Sequence, residues 1–192
     1  GVQTCALPIS ITSFNDGTDA SSVCDRLYPN VRDFTLMMYR WSFSVKKIAL
    51  AQLVTTPGSV WRYEYQLPGD RLGNPLAVYA SSNPGAPVQK NWEIQGDKLL
   101  TDLTAVFIDY QYSVPEYAMP QYFVQLLKYQ MAWHIAEAIT EQADKSARWQ
   151  RVALGDPVEN MRGGFFRQAC QMDAQGNPTR VIDDYTLIAV RN

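Results

Sequence analysis

Apolar positions change period three times along this chain. Val23, Leu27, Val31, Phe34 and Met38 recur at spacings of four and three, which predicts one face of a helix. The Asn15-Asp16-Gly17-Thr18-Asp19 loop supplies capping residues at its start. Pro29 falls inside the run and is expected to kink or divide the helix, which should end near Tyr39-Arg40-Trp41. Residues 43–54 fit neither period cleanly and lean towards strand. Trp61, Tyr63 and Tyr65 then alternate with Arg62, Glu64 and Gln66, a strand with one buried face that Pro68-Gly69-Asp70 ends as a turn. Leu76 to Ala80 is another short strand, and Ser81 to Pro87 is a loop. Trp92 to Leu100 reads strand, Gly96-Asp97 turn, strand, and Val106 to Tyr112 reads as a last strand.

Helical spacing returns from Pro120 to Gln142, with Phe123, Leu127, Met131, Ile135 and Ala138 as a stripe that Leu126 and Trp133 broaden. A second helix is expected over Ala143 to Leu154. A third, capped by Asp156 and starting at Pro157, should pass Gly163-Gly164 and run to about Gln175, where Gly176-Asn177-Pro178 ends it. The tail from Thr179 turns apolar at Tyr185, Leu187, Ile188 and Val190, which suits a strand or an extended arm. The predicted class is α+β: a helical bundle with a small antiparallel β-meander inserted between the helices. Its parts are helical over 10–41, β-meander over 43–113, helical over 118–176 and a C-terminal arm over 177–192, within one domain.

Composition narrows the class of function. The 192 residues are 46% hydrophobic and 19% charged with a net charge of -2, which is globular and argues against a broad nucleic-acid surface. No apolar run approaches the length of a spanning helix, so a soluble chain without a membrane partner is expected. Residues 1–9, Gly-Val-Gln-Thr-Cys-Ala-Leu-Pro-Ile, have no initiator Met and no signal-peptide regions. They read as an in-frame translation of a common short-read sequencing adapter. On that reading the native start is missing, and residues 1–9, with Cys5, are set apart from the fold.

Candidate chemistry is thin. Cys5, Cys24 and Cys170 have no Cys-x-x-Cys spacing and His134 is the one histidine, which argues against a zinc site and leaves any nucleophile one base to use. Cys24 and Cys170 read as small hydrophobes. His134, mid-helix among apolar neighbours, reads as structural. The pairs Asp102/Asp109 and Asp183/Asp184 are the available carboxylates for a glycosidase dyad, and read as solvated charges. Arg162-Gly163-Gly164 matches no phosphate or dinucleotide loop. Lys46-Lys47 with Arg40 and Arg62 is at most a small basic patch. Neither a catalytic residue nor a cofactor is expected. The aromatics, Trp61, Tyr63, Tyr65 and Trp92 above all, fit packing or a subunit interface.

The order of segments resembles a known family, the tail tubular protein A or head-to-tail adaptor family of short-tailed bacteriophages. The residues that carry it begin with Ile11-Thr12-Ser13-Phe14-Asn15-Asp16 before a helix containing Cys24, then Arg32-Asp33, Tyr39-Arg40-Trp41-Ser42-Phe43, Lys46-Lys47 and Leu50-Ala51. Tyr65-Gln66-Leu67-Pro68-Gly69-Asp70-Arg71-Leu72 comes next, then Trp92 to Asp102, Pro120-Gln121-Tyr122-Phe123 and Ala136-Glu137-Ala138-Ile139-Thr140. No one motif is diagnostic; coverage from about 11 to 142 makes the likeness specific, and beyond Asp144 it is weak.

The resemblance implies a non-enzymatic virion protein, a helical bundle joined to an antiparallel sheet and assembled as a ring of about twelve copies. The ring joins the portal protein to the tail nozzle (tail tubular protein B), and genomic DNA passes through its bore during ejection. It implies residence in the virion neck, and in the host cytoplasm during assembly. The family has a further helix before Ile11, where this chain carries the adapter-like peptide, so an apolar groove is expected to stand open. The expected interface residues are Trp61, Tyr63, Tyr65, Trp92, Tyr185, Leu187 and Ile188, the last three on an arm reaching a neighbouring subunit or the portal. A second reading is a head-completion or neck protein of a long-tailed phage or prophage particle, docking to a tail-tube protein. From another class, a tail-associated glycan hydrolase would need Asp102 or Asp109 to be catalytic.

Overall fold

A computed structural model describes residues 13, 17–55, 57–140, 143–160 and 162–176. The fold is α+β. Helix α1 (Asp19–Met37) precedes six strands, β1 (Val45–Ala49), β2 (Tyr63–Gln66), β3 (Ala77–Tyr79), β4 (Glu93–Gln95), β5 (Lys98–Thr101) and β6 (Phe107–Gln111). Helices α2 (Gln121–Thr140), α3 (Ala143–Leu154) and α4 (Phe165–Ala174) come after them, with a two-residue ribbon, β7 (Gly155–Asp156) and β8 (Arg162–Gly163), between the last two.

Thr18 caps α1 by accepting from the Ser21 amide at 3.1 Å. Pro29 does not divide the helix, which runs unbroken from Asp19 to Met37. Pro29 and Asp25, whose carbonyl loses its partner, both lie on the exposed side, so water satisfies what the proline leaves unpaired. The inward face is also rotated from the expected one. Ala20, Cys24, Val31 and Thr35 are buried while Phe34 stands 56% exposed. Thr35 tolerates burial because its hydroxyl donates to the Val31 carbonyl at 2.6 Å.

The strands do not form a meander. They divide into two antiparallel sheets of order β1-β6-β3 and β2-β5-β4. Within these two sheets only β4 and β5 are neighbours in both chain and sheet, paired from Glu93↔Leu100 to Gln95↔Lys98. Their turn places Gly96 at φ 62°, the first central position of a II′ turn. The Pro- and Gly-bearing loops elsewhere are long enough to carry the chain from one sheet to the other. Each sheet's central strand is the most buried: Ile108 on β6 and Leu99 on β5 are both sealed from solvent.

Two cores result. Val31, Leu36, Trp41, Val114, Met119, Phe123, Leu126 and Ala169 fill the helical one. Tyr65, Leu67, Val78, Leu99, Val106, Ile108 and Tyr110 fill the other, and Tyr112 packs against both.

The segment after α3 departs most from expectation. Asp156 does act as a cap, accepting from the Val158 amide at 3.0 Å. The element it caps, however, is a single 3-10 turn over Pro157–Glu159, and α4 begins only at Phe165. Gly164 decides this. A Cβ there would lie 2.2 Å from the Gly155 amide nitrogen, so the chain passes its own backbone too closely for any side chain or for a continuous helix.

Candidate interaction surface

The strand and turn at 61–72 work as an internal brace. Tyr65 is 1% exposed and its hydroxyl donates to the Leu103 carbonyl at 2.6 Å. It is therefore a core residue, and the expectation that it faces a partner is corrected. Glu64, expected on the solvent side, is also inside, held by Lys98 Nζ at 3.2 Å and by the Thr55 hydroxyl. Trp61 and Trp92 are half-buried and anchored by their indole N–H groups, to Glu93 at 3.0 Å and to the Gln89 carbonyl at 3.0 Å. Tyr63 and Trp92 pack against the sheet core. What this region offers a partner is Trp61 with the outer edges of Tyr63 and Trp92. Tyr185, Leu187 and Ile188 lie outside the described residues.

Asp70, in the Leu-Pro-Gly-Asp turn after β2, reaches across to the other sheet. It accepts from the Tyr110 hydroxyl at 3.0 Å and from Lys46 at 3.3 Å. Lys46 in turn sits 3.4 Å above the Tyr112 ring. Burial first, then the hydrogen bond to Asp70 and its charge, push Tyr110 up to about 12. Because this acid is weaker folded than unfolded, its stabilising contribution is intact below about pH 10 and is lost as pH rises towards 12. The loss of stability on alkaline titration should shrink in Tyr110→Phe, as read by urea midpoints across about pH 9–11.5. An equal alkaline loss in that variant would remove Tyr110 as its source.

The basic patch is partly offset by carboxylates, Lys46 by Asp70 and Lys47 and Arg40 by Asp109. Asp109 is 8% exposed and accepts from the Tyr79 hydroxyl at 3.0 Å. Lys47 lies 3.7 Å and Arg40 4.0 Å from its carboxylate, and Lys47 also covers the Tyr79 ring at 3.9 Å. Asp109 is thus a buried, paired carboxylate, contrary to the solvated charge expected. Asp102 has a separate task, accepting from the Arg62 amide at 3.0 Å. Asp183 and Asp184 lie outside the described residues. His134 is half-buried and stacks on Trp133, ring centroids 4.3 Å apart. No cluster of three metal-ligating side chains occurs among the described residues, and no helix among them is long and apolar enough to cross a membrane.

Two apolar grooves flank the α1–α2 pair. The larger, about 490 Å³, is lined by Tyr28, Met119, Val124, Leu127, Met131 and Ile135, with Glu116 and Lys128 among its polar atoms. Glu116 accepts from the Tyr28 hydroxyl at 3.2 Å and from Arg32 at 3.3 Å. Its own backbone amide first, and these two donors after it, hold its carboxyl below the usual range. The smaller groove, about 340 Å³, runs past Leu27, Val31, Phe34, Trp133 and His134. The sequence pattern makes the α2 stripe core throughout, and the structure divides it. Phe123, Leu126 and Leu127 are core, whereas Met131 and Ile135 line the open groove and Ala138 is exposed. The breadth of apolar character around α2 is the available signal, since one core face does not need that much. Comparison with protein-family models and with curated proteins gives no match for this chain.

Proposed function

We propose that this chain is a structural connector of a bacteriophage virion, a head-to-tail adaptor that works by burying surface against other protein subunits and carries no catalytic site. The observation that carries the reading is the pair of open apolar grooves along α2, lined by Tyr28, Val124, Met131, Ile135 and Trp133. Concave apolar surface of this kind is what a protein partner covers. The ordered resemblance from about 11 to 142 supplies the identity of the assembly: a ring of about twelve copies between portal and tail nozzle. The paired state of Lys46, Lys47 and Arg40 fits a conduit past which DNA slides, because cations already engaged by carboxylates hold phosphates weakly.

The test is assembly on a portal ring. The full chain mixed with the portal protein of a short-tailed phage should add a ring of about twelve copies, counted by native mass measurement or by electron microscopy. A chain that stays off portal rings and binds a tail-tube protein instead would favour the neck-protein reading. Hydrolysis of cell-wall or capsule polysaccharide, lost on Asp109→Asn, would overturn both.

A further inference from the structure

We infer that α1 and α2 form a head-to-tail contact between copies of this chain, in which Phe34 and Met37 of one copy seat in the 490 Å³ groove of the next. Two large apolar side chains make the knob. Phe34 is 56% and Met37 54% exposed, within one turn of each other on α1. Single exposed apolar side chains are common on any protein. Two large ones side by side, bordering the smaller apolar groove through Phe34, make a patch that water covers poorly.

The knob and the hole lie on opposite sides of the same helix pair. Tyr28 walls the large groove. At about 3.6 residues per turn, Met37 projects about 180° and Phe34 about 120° away from it around α1. α2 repeats the division: Val124, Lys128, Met131 and Ile135 face the large groove, while Trp133 and His134 face the small one. This geometry selects the symmetry. A two-fold contact needs one patch that complements itself, whereas complementary features on opposite faces repeat from copy to copy and close as a ring or run on as a filament. Both halves of the contact are present in this one sequence, which is why a second copy is the occupant. The chemistry also matches, because the groove floor is aliphatic and thioether (Val124, Leu127, Met131, Ile135), suited to an aromatic ring and a second methionine. The inference rests on the self-assembly reading above and adds which surfaces meet.

Self-association of the full chain, measured by sedimentation, tests it. Phe34→Asp removes the knob, and Ala132→Arg, on the α2 wall of the large groove, fills that groove with a charged stem. Each alone should weaken association about tenfold or more without lowering the melting midpoint of the dissociated chain at high dilution. Mixed in equal amounts, the two variants should recover a heterodimer and stop there, since the intact knob of one meets the intact groove of the other. If Ala132→Arg proves unfolded, Ile135→Gln replaces it. Assembly that survives both substitutions overturns this contact and leaves the ring reading standing, and a mixture that shows no recovery overturns the head-to-tail arrangement. A parent chain that stays monomeric overturns the contact, and its behaviour on portal rings then judges the adaptor reading separately. A monomer whose groove takes up an apolar dye only after residues 180–192 are deleted would assign the groove to the chain's own tail, and also overturn it.

Discussion

Trp41→Ala should cost about 4 kcal/mol of folding stability. Trp41 lies just beyond α1 and has no exposed surface. Its ring meets Tyr39 at 5.1 Å and Phe123 at 5.3 Å edge-on, and Phe166 at 6.1 Å. Those contacts join the end of α1, the start of α2 and the start of α4, so the indole is where three helices converge. Its N–H donates to the Thr35 carbonyl at 3.1 Å, one of the last carbonyls of α1 and one without an amide partner further along the helix. Alanine would leave a cavity bordered by Phe43, Tyr122 and Phe123, rings packed against one another as well as against the indole, which limits how far the site can collapse. Trp41→Phe keeps much of the apolar volume and loses the hydrogen bond, so its cost should be clearly smaller. Urea midpoints for the three proteins check the order. A loss below about 1 kcal/mol in Trp41→Ala would mean that the helices find their packing without the indole.

The residues differ in how much of this structure they announce. Gly96-Asp97 between two alternating segments is read as a hairpin at once, because the turn chemistry and the register are local. α3 is likewise legible: the expected span is the observed one, Ala143–Leu154, with Gly155-Asp156-Pro157 as the local break that ends it. What is not local is harder to see. Nothing in the 61–66 alternation reveals that β2 pairs with β5 while β1 pairs with β6, since strand partners are chosen by which faces bury together. Glu64 occupies a polar position in the pattern and is buried because Lys98, on the paired strand, neutralises it. Gly164 looks like a weak point in a helix; its role as a close backbone approach exists only once Gly155 folds beside it. The grooves are legible in part. The apolar stripe on α2 is visible in the sequence, but which half of it lacks a neighbour depends on how far α1 is rotated, and the burial of the self-bonded Thr35 in that rotation is not a feature its spacing announces.

Asp173→Ala should cost about 3 kcal/mol and release α4 from the rest of the helical unit. Asp173 is 3% exposed, yet its carboxylate has its donors in place. The Ser42 amide lies at 2.9 Å, the Ser42 hydroxyl at 2.8 Å and the Tyr122 hydroxyl at 2.6 Å. The Ser42 amide opens the 3-10 turn over Ser42–Ser44, and Tyr122 stands in the first turn of α2. One side chain of α4 thus ties that helix to the chain leaving α1 and to the start of α2. Alanine would deprive the half-buried Tyr122 hydroxyl and the Ser42 hydroxyl and amide of their shared acceptor, so three bonds to one charged group are lost together. Asp173→Asn keeps the shape and one carbonyl acceptor, and should fall between. Cys170, one turn earlier on α4, gives a local readout. Burial first, and the Asp173 charge after it, raise its thiol to about 11, so it reacts slowly while α4 is docked. In a Cys5→Ser background the Cys170 thiol should react faster in Asp173→Ala than in Asp173→Asn, which lacks the same charge, at denaturant concentrations well below the global unfolding midpoint. Unchanged thiol kinetics alongside lost stability would show that Asp173 supports the whole unit and that α4 has no separate release.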